Sequence, residues 1–413
     1  MRRKLAILIL ALVAGCSTRE RSNPLDPHNA NTGGKPVGFV AQAENAQILL
    51  TWSAASSPQG LQFRLYRQVE GEPAFTPLTE VLPGTTTAYL DLGLINGVTY
   101  RYQLYFVVGQ DVSGAPAEDA ATPSPVIPWV VDIDRASLIR LTADGREIAV
   151  EEGGFAGPTD CKVDRSTHLV WVADPGSGRV FIYNPALAAG ISVRGLGDPS
   201  FVAVDPGLGT AWISVVQGDE VVHLLSNGFF GAPPSLGPLD APLGLDVDPK
   251  NHDVWICERR GNSVRHYTQS GTPVSTTFLS TPSRVAVDSL SGDAWVTSFE
   301  TRQVFHLNVI GAPIDTIASF QGPVGVAIDE LRGRIWVADP VAGQVVALRR
   351  NGTEEFRVSN LPGARELAVE DLSGEAWVVM NATIARISST GTPVVFAHGL
   401  LNPVAITMDR FGP

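Results

Sequence analysis

The stretch PVGVAIDELRGRIWVAD, residues 323–339, contains the pattern that decides the fold of most of this 413-residue chain. An apolar run after a proline ends in Asp329, and Trp336 follows seven residues later inside a second apolar run. The same acidic-to-tryptophan spacing occurs six times, with tryptophans 41, 43, 40, 41 and 41 residues apart. The six pairs are Asp164 with Trp171, Asp205 with Trp212, Asp248 with Trp255, Asp288 with Trp295, Asp329 with Trp336 and Glu370 with Trp377. A period of about 41 residues matches one four-stranded propeller blade, so the pattern predicts a β-propeller.

The two ends of this region supply the parts of a seventh repeat. Trp129 begins a repeat that lacks its opening strand, and residues 403–409 are an opening strand without its tryptophan. Pairing the two fragments would remove the last exposed sheet edges. The prediction is a seven-bladed propeller over 126–413, with one composite blade made of 126–155 and 402–413. A six-bladed ring would leave one fragment unpaired.

Composition excludes several classes of protein. The formal net charge is −12, which disfavours nucleic acid as a partner because phosphate recognition needs a basic face. With 44% hydrophobic and 17% charged residues, the chain is too apolar to be disordered as a whole. Cys161 and Cys257 belong to different repeats, so we expect two free, buried thiols rather than a disulfide.

The N-terminus has the pattern of a secretory signal. A basic MRRK is followed by ten apolar residues and then by Gly15-Cys16, and ten residues are too few for a transmembrane helix. The sequence VAGC, 13–16, resembles the lipobox of bacterial lipoproteins. That resemblance implies a signal peptide at 1–15, a lipid on Cys16 as the membrane anchor and, with Ser17 next, the outer membrane of the cell envelope. The alternative is an ordinary cleaved signal with an incidental cysteine. Residues 16–36 are polar and rich in Pro, Gly and Asn, which predicts a flexible tether.

Residues 37–122 show short alternating strands separated by turn residues, which predicts a two-sheet β-sandwich. Trp52 lies in the second strand, and Tyr100 follows Leu94 by six residues. These positions resemble the core tryptophan and the tyrosine corner of fibronectin type III modules. Such modules are more often spacers than ligand binders.

The repeat pattern of proline, apolar strand, Asp and Trp resembles NHL-type repeats and, more distantly, the virginiamycin B lyase and gluconolactonase propellers. Because Trp occupies one equivalent site in every blade, we expect the seven rings to pack between blades. His223, His266 and His306 each follow their Trp by 11 residues, which also indicates packing. The lyases that the chain resembles carry histidine at the central mouth, whereas none of the inner-strand starts here is histidine.

Two weak clusters could bind ligands on the face where the inner strands begin. A basic sector, suited to a carboxylate or an acidic sugar, would lie there with two aromatic residues. Its members are Arg259, Arg260, Arg284 and Arg302, with Phe201 and Phe299. Carboxylates that could hold a divalent cation such as Ca²⁺ are Asp160, Asp174 and Glu366. Each cluster could equally be ordinary solvated surface.

The leading hypothesis is a lipid-anchored cell-envelope protein whose propeller is a non-enzymatic binding platform for an extracellular or periplasmic protein or glycan. The sequence has no nucleophile elbow, P-loop or dinucleotide fingerprint. No cofactor is expected, although a divalent cation such as Ca²⁺ is possible. The alternative is a metal-assisted lyase or lactonase acting at the propeller mouth. A third possibility is a subunit of a larger envelope complex.

Overall fold

The computed structural model describes residues 23–55, 60–109, 111–112, 114–151, 154–184, 190–396 and 399–410. These residues form strands and turns but no helix, which confirms the all-β prediction. Accordingly, the described residues include no helix long and apolar enough to cross a membrane. Two compact units are present, one containing Gln47–Leu94 and Val98–Ala121, the other containing Thr122–Pro413.

The first unit contains two antiparallel sheets. One sheet has the order β1-β2-β6, with β1 (Val40–Glu44), β2 (Gln47–Thr51) and β6 (Ala88–Leu92). The other is built on the pair β3 (Leu61–Val69) and β7 (Tyr100–Val108), flanked by β4 (Thr76–Pro77), β5 (Leu82–Pro83), β8 (Asp111–Val112) and β9 (Ala117–Ala121). Alternate residues of these strands are buried, as expected when one face of each sheet is covered. Trp52 lies in this core, 4% exposed and with its ring centroid 5.7 Å from that of Phe63.

The second unit consists of antiparallel four-stranded sheets, seven of which lie in the described residues. Six of the sheets are each formed by four strands that are consecutive in sequence. The first three are β13 (Asp160–Asp164), β14 (Leu169–Asp174), β15 (Arg179–Tyr183) and β16 (Ile191–Arg194); β17 (Pro199–Asp205), β18 (Thr210–Val215), β19 (Glu220–Leu225) and β20 (Phe230–Leu236); and β21 (Pro242–Val247), β22 (Val254–Glu258), β23 (Ser263–Tyr267) and β24 (Pro273–Phe278). The next three are β25 (Arg284–Val287), β26 (Ala294–Ser298), β27 (Gln303–Leu307) and β28 (Pro313–Ile317); β29 (Val326–Asp329), β30 (Arg334–Asp339), β31 (Gln344–Arg349) and β32 (Glu354–Ser359); and β33 (Glu366–Val369), β34 (Ala376–Val379), β35 (Ile384–Ile387) and β36 (Pro393–Phe396).

The remaining sheet joins the two ends of the unit. Its order is β12-β11-β10-β37, with β10 (Val126–Asp132), β11 (Ser137–Leu141), β12 (Glu147–Glu151) and β37 (Pro403–Arg410). Trp129 lies opposite Thr407 in the antiparallel pair of β10 with β37. The pairing satisfies backbone groups that would otherwise form an open edge on β10.

The innermost strands of the seven sheets contact one another in a cyclic order. The order is β13, β17, β21, β25, β29, β33 and β37, and β37 in turn contacts β13. We call these the inner strands and the end at which they begin the upper mouth.

Each tryptophan of the repeat is at most 1% exposed and packs between its own sheet and the next one. Trp171, for example, shares a core cluster with Val202 and Ile213 of the following sheet. Trp377 packs with Ile406 and Met408 of β37 in the same way. The core of this unit is therefore a series of interfaces between neighbouring sheets, and the tryptophans are the largest side chains in it. Cys161 and Cys257 are buried free thiols, as predicted.

Candidate functional site at the mouth of the inner strands

Arg284 lies across the upper mouth. It begins β25, and its Nε donates a hydrogen bond of 3.0 Å to Oε2 of Glu366, the first residue of β33. On the other side, its Cζ lies 4.0 Å from the ring centroid of Phe201 on β17. The Arg284 side chain is 20% exposed and that of Glu366 is 6% exposed. A cation–π contact and a charged hydrogen bond thus hold one guanidinium between strands that belong to three sheets.

Two glycines let the inner strands approach closely near Arg284. Gly244 and Gly325 occupy the equivalent position in the sheets on either side of β25. A Cβ on Gly244 would lie 2.7 Å from the Arg284 Cα, and one on Gly325 would lie 2.7 Å from the Arg365 backbone oxygen. Real Cβ atoms do not approach that closely, so a side chain at either position would force the strands apart.

Asp160 occupies the same position of the repeat on β13. Its two carboxylate oxygens accept backbone hydrogen bonds from Cys161 (3.0 Å) and from Val202 of the next sheet (2.9 Å). Burial raises the pKa of Asp160, although Lys162 and Arg284 lower it in part. One function of this carboxylate is therefore structural, because it bonds the backbone of β13 to that of β17.

A cavity of about 240 Å³ lies deeper among the inner strands. The charged residues that line it are Lys162, Arg165, Asp246, Glu330 and Asp371, and the rest of the lining is Thr407 and apolar residues, mainly of β25, β29 and β33. Asp246 accepts backbone hydrogen bonds from Val247 (3.0 Å) and Val287 (2.8 Å), and burial raises its pKa to about 6. No described carboxylate oxygen lies within 4.0 Å of the Lys162 ammonium. Burial lowers the pKa of Lys162, but the carboxylates, Asp160 foremost, outweigh that effect and raise it.

An open groove lies beside the upper mouth and contains two of the arginines predicted to bind ligand. It is lined by Val216, Gln217, Asp219, Ala241, Leu243, Arg259, Arg260, Asn262 and Thr281. Arg260 pairs with Asp219 at 2.9 Å and with Asp240 at 3.0 Å, while Arg259 pairs with Glu300 at 3.2 Å. These pairs are more than 40% exposed on both sides, so each stabilises the fold little and leaves the groove close to neutral.

The other residues predicted as ligand sites are spread more widely. Arg302 is exposed, and Phe299 is 43% exposed and packs against Gly322. Asp174 is buried, and its Oδ2 accepts hydrogen bonds from Ala156 N (2.9 Å) and Ser177 Oγ (2.7 Å). Asp160 and Glu366 each begin an inner strand at the upper mouth, but no group of three His, Cys, Asp or Glu side chains in the described part of the chain could hold a metal ion. Cys16 lies outside the described residues.

Three histidines of the second unit stack on the repeat tryptophans. The ring centroids are 4.2 Å apart for Trp212 and His223, 4.1 Å for Trp255 and His266, and 4.0 Å for Trp295 and His306. Burial lowers the pKa of His223 and of His266, which keeps both rings neutral at pH 7. The sequence interpretation of these residues as packing groups agrees with this geometry.

Two further histidines reach back to the preceding sheet at the end opposite the upper mouth. His168 Nδ1 lies 2.9 Å from Asp409 Oδ1, and His252 Nδ1 lies 2.9 Å from Asp205 Oδ1. Both adopt positive φ, 60° and 62°, where four other repeats have glycine. The cavity among the inner strands is lined by none of these five histidines. His398 is outside the described residues.

Sequence reasoning missed Lys162 and Asp246. A signal for both exists, because four of the other repeats have alanine at the equivalent position, namely Ala203, Ala286, Ala327 and Ala368. A charged residue at a position that is otherwise alanine is costly to bury, and it indicates space or a partner there.

Comparison with known proteins supports the propeller fold. No family profile and no curated protein matches the chain by sequence. Among solved structures, a streptogramin B lyase shares 16% identity over 61% of this chain and 87% of its own, with a TM-score of 0.54. An inactive histidine-to-alanine variant of virginiamycin B lyase from Staphylococcus aureus, with quinupristin, shares 15% identity over 66% of this chain and 88% of its own, with a TM-score of 0.51. A functionally unknown protein from Desulfotomaculum acetoxidans shares 13% identity over 69% of this chain and 99% of its own, with a TM-score of 0.59. These identities establish similarity of fold alone.

Proposed function

We propose that this protein is a lipid-anchored protein of the cell envelope whose propeller binds a protein or glycan at the upper mouth, without catalysis. The observation that carries the proposal is the open groove beside the upper mouth, which is lined by the charged side chains of Asp219, Arg259 and Arg260 and by the amides of Gln217 and Asn262. The described histidines of this unit support a binding role over a lyase role, because each is engaged in a stack or an ion pair away from the cavity.

The architecture that we propose is a fibronectin type III-like sandwich followed by a seven-bladed propeller. The seven four-stranded sheets and the cyclic contacts of their inner strands favour seven blades. Two facing sheets with Trp52 buried between aromatic residues, and a buried Tyr100, favour the sandwich assignment. The first unit would then act as a spacer between the anchor and the propeller.

The anchor is tested by replacing Cys16 with serine. Acylation requires the thiol, so Cys16→Ser is expected to lose labelling by a radioactive fatty acid and to leave the membrane fraction. The unmodified chain should be labelled and should pellet with outer membranes. A variant that is still labelled would contradict the anchor.

The binding role is tested by crosslinking on intact membranes and by sedimentation with purified peptidoglycan. Arg259→Glu combined with Arg260→Glu reverses two charges in the groove, and we expect at least about a tenfold loss of the captured partner. Arg194→Glu, an exposed residue on the outer strand β16, is the matched control and should retain the partner. Equal capture by both variants would show that the groove is not the binding surface.

Metal analysis separates the binder from the metal-assisted enzyme. The purified chain, Asp160→Ala and Glu366→Ala should all contain less than one divalent ion per molecule. A stoichiometric ion that is lost in both variants would favour the lyase or lactonase reading and would count against the binding platform.

A further inference from the structure

The Arg284 guanidinium is held in place by its neighbours, but not all of its N–H donors have hydrogen-bond partners. Its Nε is used by Glu366, and its face is covered by Phe201. Within the part of the chain that the structure describes, neither Nη1 nor Nη2 makes a hydrogen bond. Nη1 and Nη2 together carry four N–H donors, two of which form the end-on edge of the guanidinium, and the side chain is one-fifth exposed.

Because its side chain is already held in place, Arg284 would lose less conformational entropy on binding a ligand than an ordinary surface arginine. Ordering a free arginine side chain costs about 1.5–2 kcal/mol of free energy, and this cost weakens ligand binding by an exposed arginine. Here the ion pair with Glu366 and the stack on Phe201 already fix the plane. A fixed guanidinium edge matches the two oxygens of a carboxylate, which it can bind through two parallel hydrogen bonds.

The surrounding charges limit the kind of anion. Arg284 at the mouth and Lys162 and Arg165 in the cavity are basic, whereas Asp160 and Glu366 at the mouth and Asp246, Glu330 and Asp371 in the cavity are acidic. With five acidic groups against three basic ones, a polyanion or a phosphate dianion would be repelled, whereas one carboxylate would meet one guanidinium whose Nη donors have no partner. The adjoining groove is close to neutral, so it would not favour a ligand with additional negative charges.

We propose that Arg284 is the anchor of a receptor site for a single carboxylate group at the upper mouth. The inference rests on the proposed binding function and narrows its ligand to one that presents a monocarboxylate, either a small organic acid or the C-terminus of a peptide. Glu366 and Phe201 are positioning residues that hold the guanidinium, and the absence of a side chain at Gly244 lets Arg284 pack closely against β21.

The test uses the full chain in detergent and calorimetric titration with N-acetyl-dialanine, its C-terminal amide, acetate and an oligogalacturonate. We expect the free acid to bind at least about tenfold more tightly than the amide, since the amide cannot accept two charged hydrogen bonds. If acetate binds as tightly as the peptide acid, the site is assigned to small organic acids. Tighter binding of the oligogalacturonate than of the peptide acid would overturn the single-carboxylate inference.

The variants are chosen so that loss of folding cannot imitate loss of binding. Arg284→Met alone would leave the buried Glu366 carboxylate unpaired, so it is combined with Glu366→Gln. We expect the double variant to lose peptide-acid binding by at least about tenfold while keeping its thermal midpoint. Glu366→Gln alone should lose less, because its amide oxygen can still accept from the Arg284 Nε, and Arg194→Glu on the outer strand β16 should bind like the unmodified chain. Equal binding by the double variant would overturn the inference. If it binds equally while the groove charge reversal still abolishes capture of the membrane partner, only the carboxylate site fails and the binding platform stands.

Discussion

His168 offers a sharp test of how the last strand is held. The residue lies in the turn after β13 with φ of 60°, and its Nδ1 is 2.9 Å from Oδ1 of Asp409 on β37. Asp409 is fully buried, and its Oδ2 has no hydrogen-bond partner among the described residues. The histidine therefore supplies an important side-chain contact to a carboxylate that water does not reach.

The magnitude follows from two opposing terms. Removing the imidazole leaves the buried carboxylate less satisfied, which costs about 1.5–3 kcal/mol. A non-glycine residue at positive φ carries about 1 kcal/mol of backbone strain, which alanine keeps and glycine removes. We expect His168→Ala to lower the free energy of unfolding by about 2–3 kcal/mol and His168→Gly by about 1 kcal/mol less than that.

The assay is urea unfolding followed by tryptophan fluorescence. Seven of the eight tryptophans lie in the four-stranded sheets, so the signal reports mainly on the second unit. His252→Ala and His252→Gly are the matched controls, because His252 makes the same pair with Asp205 away from β37. Equal destabilisation by alanine and glycine, or none by either, would refute the reasoning.

Three further outcomes are expected. Burial raises the pKa of Glu330 to about 7 and that of Asp246 to about 6, so the folded state holds extra protons, and stability is lost as pH rises through 6 and 7. Thermal midpoints should be lower at pH 8 than at pH 6, the difference should shrink in Glu330→Gln, and an unchanged midpoint would contradict these shifts. Cys161 and Cys257 are buried with raised thiol pKa values, so Ellman's reagent should modify them only after unfolding; modification of the native chain at the rate of a free thiol would count against their burial. Gly325→Val should lower stability by about 1–3 kcal/mol in chemical unfolding, because its Cβ would lie 2.7 Å from the next sheet, and a neutral effect would show that the strands can move apart.

The repeat itself was readable from the sequence because its determinants are local. The spacing from Asp329 to Trp336 lies within one turn and the two strands beside it, so a linear pattern records it directly. The tryptophans pack between neighbouring sheets, and each neighbour is the next repeat along the chain. Periodicity alone therefore predicted four-stranded sheets, buried tryptophans and histidines that pack within the blades.

The sequence placed Arg284, Phe201 and Glu366 on this face, but the contacts between them were not readable in this way. Arg284 and Glu366 are 82 residues apart, and Phe201 belongs to a third sheet. Listing arginines from the loops suggested a basic sector, but Arg259 and Arg260 are paired with acidic neighbours, and the unsaturated donors are on Arg284. Ion pairing and stacking depend on which side chains the ring brings together, and a sequence pattern does not contain those distances.

By itself, the sequence determined an acidic all-β chain with a 41-residue repeat, because strand and turn preferences act over a few residues. Only the tertiary structure decided that a single arginine spans the mouth, with glycines on both sides and Lys162 beneath it. The physical reason is that the inner strands converge, so single residues from distant repeats become neighbours, and their charges and hydrogen bonds are settled by that convergence.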